Sequence, residues 1–591
     1  MKNKTLYVCV AALLFLCGCA NKNTPETDKP EGKAIILESM PFTKGVNLSD
    51  WFLQINESYL TKGKYTDKDF KDLQSLGFEA VRLPIRFQKF TGPAPGYALS
   101  ENFFEILDYA VDLAEKNGMY IILDNHSYFG ADVFPEAYGQ EQLTRVWEQI
   151  AAHFKDRSDK VIYEVMNEPG GTYLEKYWYD IQTGFLQTIR SIDKKHTVIV
   201  KGLGDSRKNL KDIPEYEDGN LIYSFHFYPS HLFTMQGATW ISPSPTLDLE
   251  SPIPFPYNAD KMPAKPASFK GTEYDELYDL YPEQGTVEYL QQCLDEAVRF
   301  AAGRKVPVLC GEFGVVRGMA ENEDRCRWYE AVSAYCEKKG IGWTMWDYRT
   351  DHSLFNEGNP IFEQNLNVPL LRALGLNVPA YYDSGEAPDL QIYDDVLATF
   401  AKNSSWNGAD SETNSYWCVN YECKKSPFEG ASCIEWAIPP VGMGASYCSL
   451  SFTFWPVADF TPQFESDYNV EFMVRCDDPV DKMYVRLVYY RNASTRAWRN
   501  VYEMGNNHPY AFFASDGAWH KISIPLKNFY ILGNNDTDKW VADYEAYIQA
   551  NPDQAWDWEH INKLEFATEG NKNLKGVTIY FDDIKICKPE K

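Results

Sequence analysis

Residues 162–169 read Ile-Tyr-Glu-Val-Met-Asn-Glu-Pro, a short run rich in apolar residues that closes on Asn167-Glu168-Pro169. A helical apolar pattern precedes it at Glu141–Phe154 and another follows at Tyr173–Ile192. A brief apolar run between two amphipathic segments reads as a buried parallel strand with crossover helices. The same rhythm extends in both directions. Strands are predicted near Lys44–Leu48, Phe78–Pro84, Tyr120–Asp124, Ile162–Asn167, Thr197–Val200, Leu221–His226, Pro307–Glu312 and Gly342–Trp346, eight in all. Helices are predicted at Asp67–Ser75, Glu101–Lys116, Val287–Ala302 and Asp324–Lys338 as well, and the interval after Lys201 has the weakest pattern. Eight strands alternating with helices predict an α/β fold, a (β/α)8 TIM barrel over residues 39–375, with its site at the C-terminal strand ends.

Two carboxylates fall at such ends. Glu168 follows strand four, and Glu312, in Val308-Leu309-Cys310-Gly311-Glu312-Phe313-Gly314, ends strand seven. Hydrolysis of a glycosidic bond needs one carboxyl group that donates a proton and a second that attacks or activates water. With 84 Asp and Glu in the chain, a single strand-end Glu is ordinarily a solvated residue. The pair is more specific: Pro169 and Gly311 constrain the backbone beside each carboxyl, and Asn167 has an amide to offer a substrate hydroxyl. Taken singly, Arg82 can be a structural ion pair, His126 and His226 satisfied core histidines, and Trp346 barrel packing. Core residues have no reason to gather on one rim, so their joint placement at successive strand ends argues for a site.

These residues resemble glycoside hydrolase family 5 over most of residues 40–375. Asn167-Glu168-Pro169 is similar to the family's acid/base motif and Glu312-Phe313-Gly314 to its nucleophile motif. The resemblance implies that Arg82, in Val81-Arg82-Leu83-Pro84, holds the nucleophile ionised, and that His126, His226, Tyr228 and Trp346 are its strand-three, strand-six and strand-eight site residues. It further implies a retaining double displacement with Glu168 as acid/base and Glu312 as nucleophile. Phe233-Thr234-Met235-Gln236-Gly237-Ala238-Thr239-Trp240 resembles a stretch of a cellulase- and mannanase-containing branch, with Met235 in place of a histidine, and it adds Trp240 to the substrate-binding set. Gly45-Val46-Asn47-Leu48-Ser49-Asp50-Trp51 resembles the family's opening motif but departs from it at Ser49-Asp50.

Residues 230–285 break the rhythm with many Pro and Ser residues and aromatic clusters around Phe255–Tyr257 and Tyr274–Tyr281. A structureless insertion of this length after strand six is expected to wall a substrate cleft. Residues 376–391, with Pro379, Gly385 and Pro388, are expected to be a linker. From 392 to 591, short alternating runs such as Tyr484–Tyr489, His520–Pro525 and Val577–Ile586 predict an all-β sandwich. This region resembles the jelly-roll carbohydrate-binding modules attached to many cellulases. Trp519 is expected in its core, Tyr489, Tyr490, Trp498 and Trp540 are candidates for a sugar-binding face, and a pure spacer role stays open. Asp394-Asp395 and Asp582-Asp583 are expected either to anchor the chain ends or to hold a structural calcium, and no other cofactor and no metal at the catalytic site is expected.

The first residues carry Lys2 and Lys4, then an apolar run from Leu6 to Leu16 ending in Leu16-Cys17-Gly18-Cys19. This reads as a signal peptide over residues 1–19 whose Leu-x-Gly-Cys resembles a bacterial lipobox, with Cys19 the lipidated residue. Residues 20–38, polar and rich in Lys, Asn, Thr, Pro and Glu between Ala20 and Gly32, read as a flexible tether. The expectation is a lipid-anchored protein of the bacterial cell envelope. Ten cysteines follow Cys19 with no CxxC pair, which argues against a zinc site; six of them lie beyond residue 410, where any disulfides are expected. A formal charge of −27 and a pI of about 4.8 repel nucleic acid. Aromatics at 15%, with 16 Trp and 39 Tyr, suit either stacking on sugar rings or a dense core. The expected partner is a polysaccharide or oligosaccharide, and the expected state a monomer. The reading favoured is an endo-β-1,4-glycanase acting on cellulose, β-glucan, xyloglucan or mannan; an exo-acting β-glycosidase and a non-catalytic surface glycan-binding lipoprotein are the alternatives.

Overall fold

A computed structural model of the chain describes residues 36–54, 57, 60–127, 136–241, 245–356, 361–393, 401–407, 419–428, 430, 432–438, 447–478, 480, 483–490, 497–504, 515–532, 549, 556–569 and 577–589. Cys19, the expected signal peptide and all but the last residues of the expected tether lie outside them, as do Trp540 and the side chains of Tyr489, Tyr490 and Trp498.

The strands β1 Lys44–Asn47, β2 Ala80–Ile85, β3 Tyr120–Asn125, β4 Val161–Glu164, β5 Thr197–Ser206, β6 Leu221–Phe227, β7 Val308–Phe313 and β8 Gly342–Met345 close into a parallel barrel. Around it run α1 Asp67–Ser75, α2 Glu101–Lys116, α3 Glu136–Phe154, α4 Thr172–Ile192, α5 His231–Thr234, α6 Glu273–Gln284, α7 Val287–Arg304 and α8 Asn322–Lys339. Local chemistry sets the helix starts. Ser100 and Thr286 accept from the backbone N–H of Phe103 and Tyr289 at 3.0 and 3.2 Å, and Thr66 with Asp69 forms a capping box.

The barrel interior is layered by strand alternation. Ala80, Ile122, Ile162, Ile199, Ile222 and Leu309 form one buried apolar cluster with Phe42. Two residues further along, the same inward positions hold Arg82, Asp124, Glu164 and Lys201 on β2–β5, all 0% exposed. A polar layer thus rests on an apolar plug, and the strand ends rise above it.

The interval after β5, which has the weakest helical pattern, holds a 3-10 turn, Arg207–Asp212, in which only Leu210 is buried. Two expectations are corrected. Residues 230–285 are not structureless. They hold α5, α6 and short 3-10 turns, because Phe233, Phe255, Phe269, Tyr274 and Tyr281 are buried and join the barrel's core cluster. The segment 376–391 is not a plain linker either: Ala380–Ser384 is helical, and Tyr382 Oη accepts from Leu366 N–H at 3.0 Å.

The strands β9 Leu390–Tyr393, β10 Ala401–Asn407, β11 Val419–Cys423, β12 Cys433–Ala437, β13 Tyr447–Ala458, β14 Asn469–Cys476, β15 Met483–Tyr490, β16 Ala497–Met504, β17 His520–Pro525, β18 Tyr530–Leu532, β19 Ile561–Glu569 and β20 Thr578–Cys587 form two antiparallel sheets. One runs β10-β13-β19-β15-β16-β18 and the other β11-β12-β20-β14-β17, with β9 paired to β20. Their inner faces share a core that includes Trp436, Phe452, Phe472, Phe566 and Phe581. Trp519 is not part of it. Its ring is half-buried, stacks under Arg475 at 5.1 Å, and its Nε1 donates to Ser426 O at 3.0 Å.

Candidate active site

Arg82 organises the strand ends. Its Nε and Nη2 donate to Glu164 at 2.7 and 2.9 Å, Nη1 donates to Asn47 Oδ1 at 2.9 Å and Glu312 Oε1 at 2.8 Å, and Nη2 also reaches Asn167 Oδ1 at 2.8 Å and Asp124 Oδ2 at 2.9 Å. Burial opposes its charge, but Asp124, Glu164 and Glu312 outweigh that and hold its pKa well above the usual arginine value.

Glu312 is 5% exposed. Besides Arg82, it accepts from Tyr228 Oη at 3.0 Å, and burial with the neighbouring carboxylates keeps that phenol protonated by raising its pKa well above the ordinary value. Glu168 is different: its side chain is 37% exposed, and its partner is His226, whose Nδ1 lies 2.6 Å from Oε1 and 3.4 Å from Glu312 Oε2. Carboxylate oxygens of the two Glu and a ring nitrogen of His226 all lie within 4.8 Å of one another. Pro169 restricts the Glu168 backbone to extended conformations. Gly311 makes room for the imidazole, since a Cβ there would come within 3.3 Å of Nε2 and 2.8 Å of Ser224 Oγ.

The remaining predicted residues surround this pair. His126 Nδ1 lies 2.7 Å from Asp124 Oδ2, its ring stacks on Trp346 at 5.8 Å, and burial pushes its pKa down to about 4. Gly314 brings strand eight's continuation close; a Cβ there would sit 2.5 Å from Trp346 O. Trp240 is 51% exposed and joins the same rim through His352, whose ring lies 5.8 Å from Trp240 and 6.2 Å from Tyr228. All nine predicted side chains of the barrel are therefore brought to one end of it. Met235 is half-buried at the end of α5.

Sequence reasoning passed over Asp124, Glu164 and Lys201 as site residues. The signal was present: a charged residue inside a strand of a parallel barrel has no solvated face, so it must be paired. These three ligand atoms are close enough to one another to hold a cation, and of the two carboxylates Glu312 accepts from both Arg82 and Tyr228. In the sandwich, Asp582 accepts from Phe428 N–H at 2.8 Å and Asp583 pairs with Lys585 at 2.8 Å, while Asp394 and Asp395 lie outside the described residues.

A family model described as cellulase, glycosyl hydrolase family 5, matches residues 39–352. The chain belongs to glycosyl hydrolase family 5. It is a glycosyl hydrolase, and a second model, carbohydrate binding domain 30, matches residues 389–588 of the same family member. Endoglucanase C of Acetivibrio thermocellus is 24% identical over 345 residues, covering 55% of this chain and 97% of the relative. Endoglucanase 3 of Fibrobacter succinogenes is 25% identical over 343 residues, covering 54% of this chain and 51% of the relative. A solved endoglucanase from the hyperthermophilic Thermotoga maritima aligns with TM-score 0.47 and 25% identity, over 56% of this chain and 96% of the other.

Next to the site of this family 5 hydrolase, Asp347 follows Trp346 and is 1% exposed, bonded by Ser49 Oγ, Thr350 N–H at 3.1 Å and Thr350 Oγ1 at 2.6 Å. Burial pushes its pKa up to about 7 despite those donors. The folded chain therefore keeps this proton where the unfolded chain, with a pKa near the ordinary aspartate value, releases it. The stabilising contribution is fully present below about pH 4 and is lost as pH rises through about 7. Within that window one proton corresponds to a slope of ~1.4 kcal/mol per pH unit. Asp347→Asn is expected to flatten the pH dependence of unfolding free energy by up to that slope; parallel curves for the two proteins would reject the assignment.

Proposed function

We propose that the chain is an endo-acting β-1,4-glycanase that cleaves plant β-glycan, of cellulose, β-glucan, xyloglucan or mannan type, with retention of anomeric configuration. The observation that carries the mechanism is the unequal carboxylate pair, one oxygen of Glu168 lying within 4.8 Å of one oxygen of Glu312, a proximity that favours the shorter of two known spacings. Retaining glycosidases hold their carboxyls about 5–5.5 Å apart, whereas inverting enzymes need about 6.5–9.5 Å to admit a water. Glu312 is immobilised by Arg82 and Tyr228, as a nucleophile requires, and Glu168 has the exposure that a proton donor to an incoming oxygen needs.

In the first step Glu312 attacks the anomeric carbon, the glycosidic C–O bond breaks, and the proton of Glu168 goes to the leaving oxygen. In the second, the Glu168 carboxylate takes a proton from water, the hydroxide oxygen bonds the same carbon from the opposite face, and Glu312 is released. His126, Asn167, Trp240 and Trp346 line the substrate path in this reading, the rings as sugar platforms. Endo action is supported by the relatives, which are named endoglucanases. The test is a panel of gluco- and manno-polysaccharides with product sizing: early mixtures of long fragments fit endo cleavage, and a single small product released from chain ends would replace it by exo cleavage.

The sandwich is proposed to hold the enzyme on insoluble glycan, supported by the carbohydrate binding domain match. The division point follows from contacts: Tyr382 belongs to the barrel side, whereas Pro388 O accepts from Gln463 Nε2 at 3.1 Å on the sandwich side. A chain ending at residue 385 is expected to cleave soluble oligosaccharides within about threefold of the full chain, yet bind insoluble polysaccharide at least about tenfold less well, as loss of one linked module implies. Equal retention of both proteins in a pull-down would leave the sandwich a spacer. Lipidation at Cys19 and placement in the cell envelope are part of the proposal and rest on Leu16-Cys17-Gly18-Cys19; mass spectrometry of the mature N-terminus tests them. A monomer without catalytic metal completes the reading.

A further inference from the structure

Lys201 belongs to the buried polar layer, takes no part in the mechanism above, and is the member of that layer that touches His226. It is 0% exposed, and its main chain is locked: its N–H donates to Gln182 Oε1 at 2.8 Å, and its carbonyl accepts from Trp178 Nε1 at 3.0 Å and Gln182 Nε2 at 3.1 Å. Its Nζ lies 2.6 Å from His226 Nε2, on the side of the ring away from Glu168, and 3.9 Å from Glu164 Oε1.

We propose that Lys201 is a positioning residue that fixes the tautomer of His226, so that Nδ1 carries the ring proton and directs it at Glu168 Oε1. The inference rests on the reading of Glu168 as acid/base. An ammonium has three N–H bonds and no lone pair, so the ring nitrogen facing it must accept. The single proton of a neutral imidazole is then left to Nδ1, 2.6 Å from Oε1. A doubly protonated ring would set Nε2–H against the ammonium. Burial, against the pull of Glu312 and reinforced by Lys201, Arg82 and His126, holds the His226 pKa well below its ordinary value, which keeps the ring neutral.

The groups around Lys201 balance its charge. Arg82 on β2 adds a second cation; Asp124 on β3 and Glu164 on β4 are anions of the same layer; Glu168 and Glu312 lie above, and Cys310 faces it from β7. Burial lowers the lysine's own pKa, with Glu164 the largest opposing influence.

The consequence is chemical. With Oε1 accepting from His226, the acid proton of Glu168 sits on Oε2, the oxygen free to face the leaving group. When Glu168 becomes a carboxylate the same Nδ1–H bond persists, so one preset donor serves both steps without reorganisation. The opposite tautomer would present a lone pair at Nδ1 and draw the acid proton toward the histidine instead.

The test is a long-range proton–nitrogen correlation spectrum of the full chain with labelled histidine, the His226 signals being assigned by their loss in His226→Gln. The expected wild-type result is a neutral ring protonated at Nδ1 from about pH 5 to about pH 8. In Lys201→Met, the Nε2–H form is expected to appear and kcat to fall about a hundred-fold, with KM changed less than about twofold and thermal unfolding still cooperative. A wild-type ring protonated at Nε2 or at both nitrogens overturns the proposal, and so does a folded Lys201→Met whose tautomer and kcat are unchanged. If that variant does not fold, the wild-type spectrum alone decides. A chain that hydrolyses no glycan yet shows the Nδ1–H ring would sink the functional reading and spare the tautomer.

Discussion

Glu312→Ala is expected to fold as the parent does and to lose turnover by on the order of 10⁴-fold or more, since removing a covalent nucleophile costs most of the chemical step. The variant also offers a positive result. Deleting the carboxylate leaves a space on the face from which Glu312 attacks, still bordered by the Arg82 guanidinium and the Tyr228 hydroxyl that held it. Azide is small and anionic and fits such a space. With an activated aryl glycoside it should attack the anomeric carbon from that face and give the inverted glycosyl azide, while the parent enzyme gives a product of retained configuration. The stereochemistry separates roles: were Glu312 the general acid/base, azide would instead trap a glycosyl-enzyme and return the retained azide. Near-normal activity of Glu312→Ala, or a retained azide, would reverse the assignment.

How much of this was legible beforehand depended on which physical signal carried it. The barrel was legible because each strand is a short apolar run between amphipathic helices, and β3 and α2 fall at or within a residue of their expected limits. The strand-end residues Glu168, Glu312, His126 and His226 were legible because chemistry-bearing side chains stood where β-strands finish. The layer beneath was not read. Asp124 stands two residues past Ile122, and Glu164 two past Ile162, so simple alternation already pointed them into the barrel. Lys201 was lost for a related reason: strand five was expected to stop at Val200, and one more residue on the strand turns a surface lysine into a buried partner of His226. The insertion failed differently. Its prolines and serines suggest loop, but Phe255 and Tyr281 are spaced to be buried by tertiary contact, and Tyr281 Oη fastens Pro254 O at 2.7 Å. Local composition does not report contacts across 27 residues.

That hidden layer sets the second large effect, at Arg82. One planar guanidinium reaches Asp124, Glu164 and Glu312 together with the amide oxygens of Asn47 and Asn167. No other side chain has five N–H groups in a fixed fork, so the site's geometry and its charge balance depend on the same residue. Arg82→Met leaves Lys201 as the only cation of the described layer facing those carboxylates, and breaking buried pairs in this way costs about 3–5 kcal/mol. A large part of the stability of an ordinary domain is of that size, so the methionine variant is expected to accumulate poorly. Arg82→Lys separates charge from geometry. It restores one positive charge, but an ammonium on a shorter reach cannot hold Glu164 in bidentate fashion and bond Glu312 as well. The expected outcome is a cooperative unfolding transition with kcat/KM reduced by about 10²- to 10³-fold, the loss falling on kcat because the nucleophile is no longer held in line with the anomeric carbon. Measured side by side, denaturant unfolding and steady-state kinetics decide the matter. If Arg82→Lys keeps kcat within a few-fold of the parent, charge alone suffices and the hydrogen-bonded fork is not what aligns Glu312.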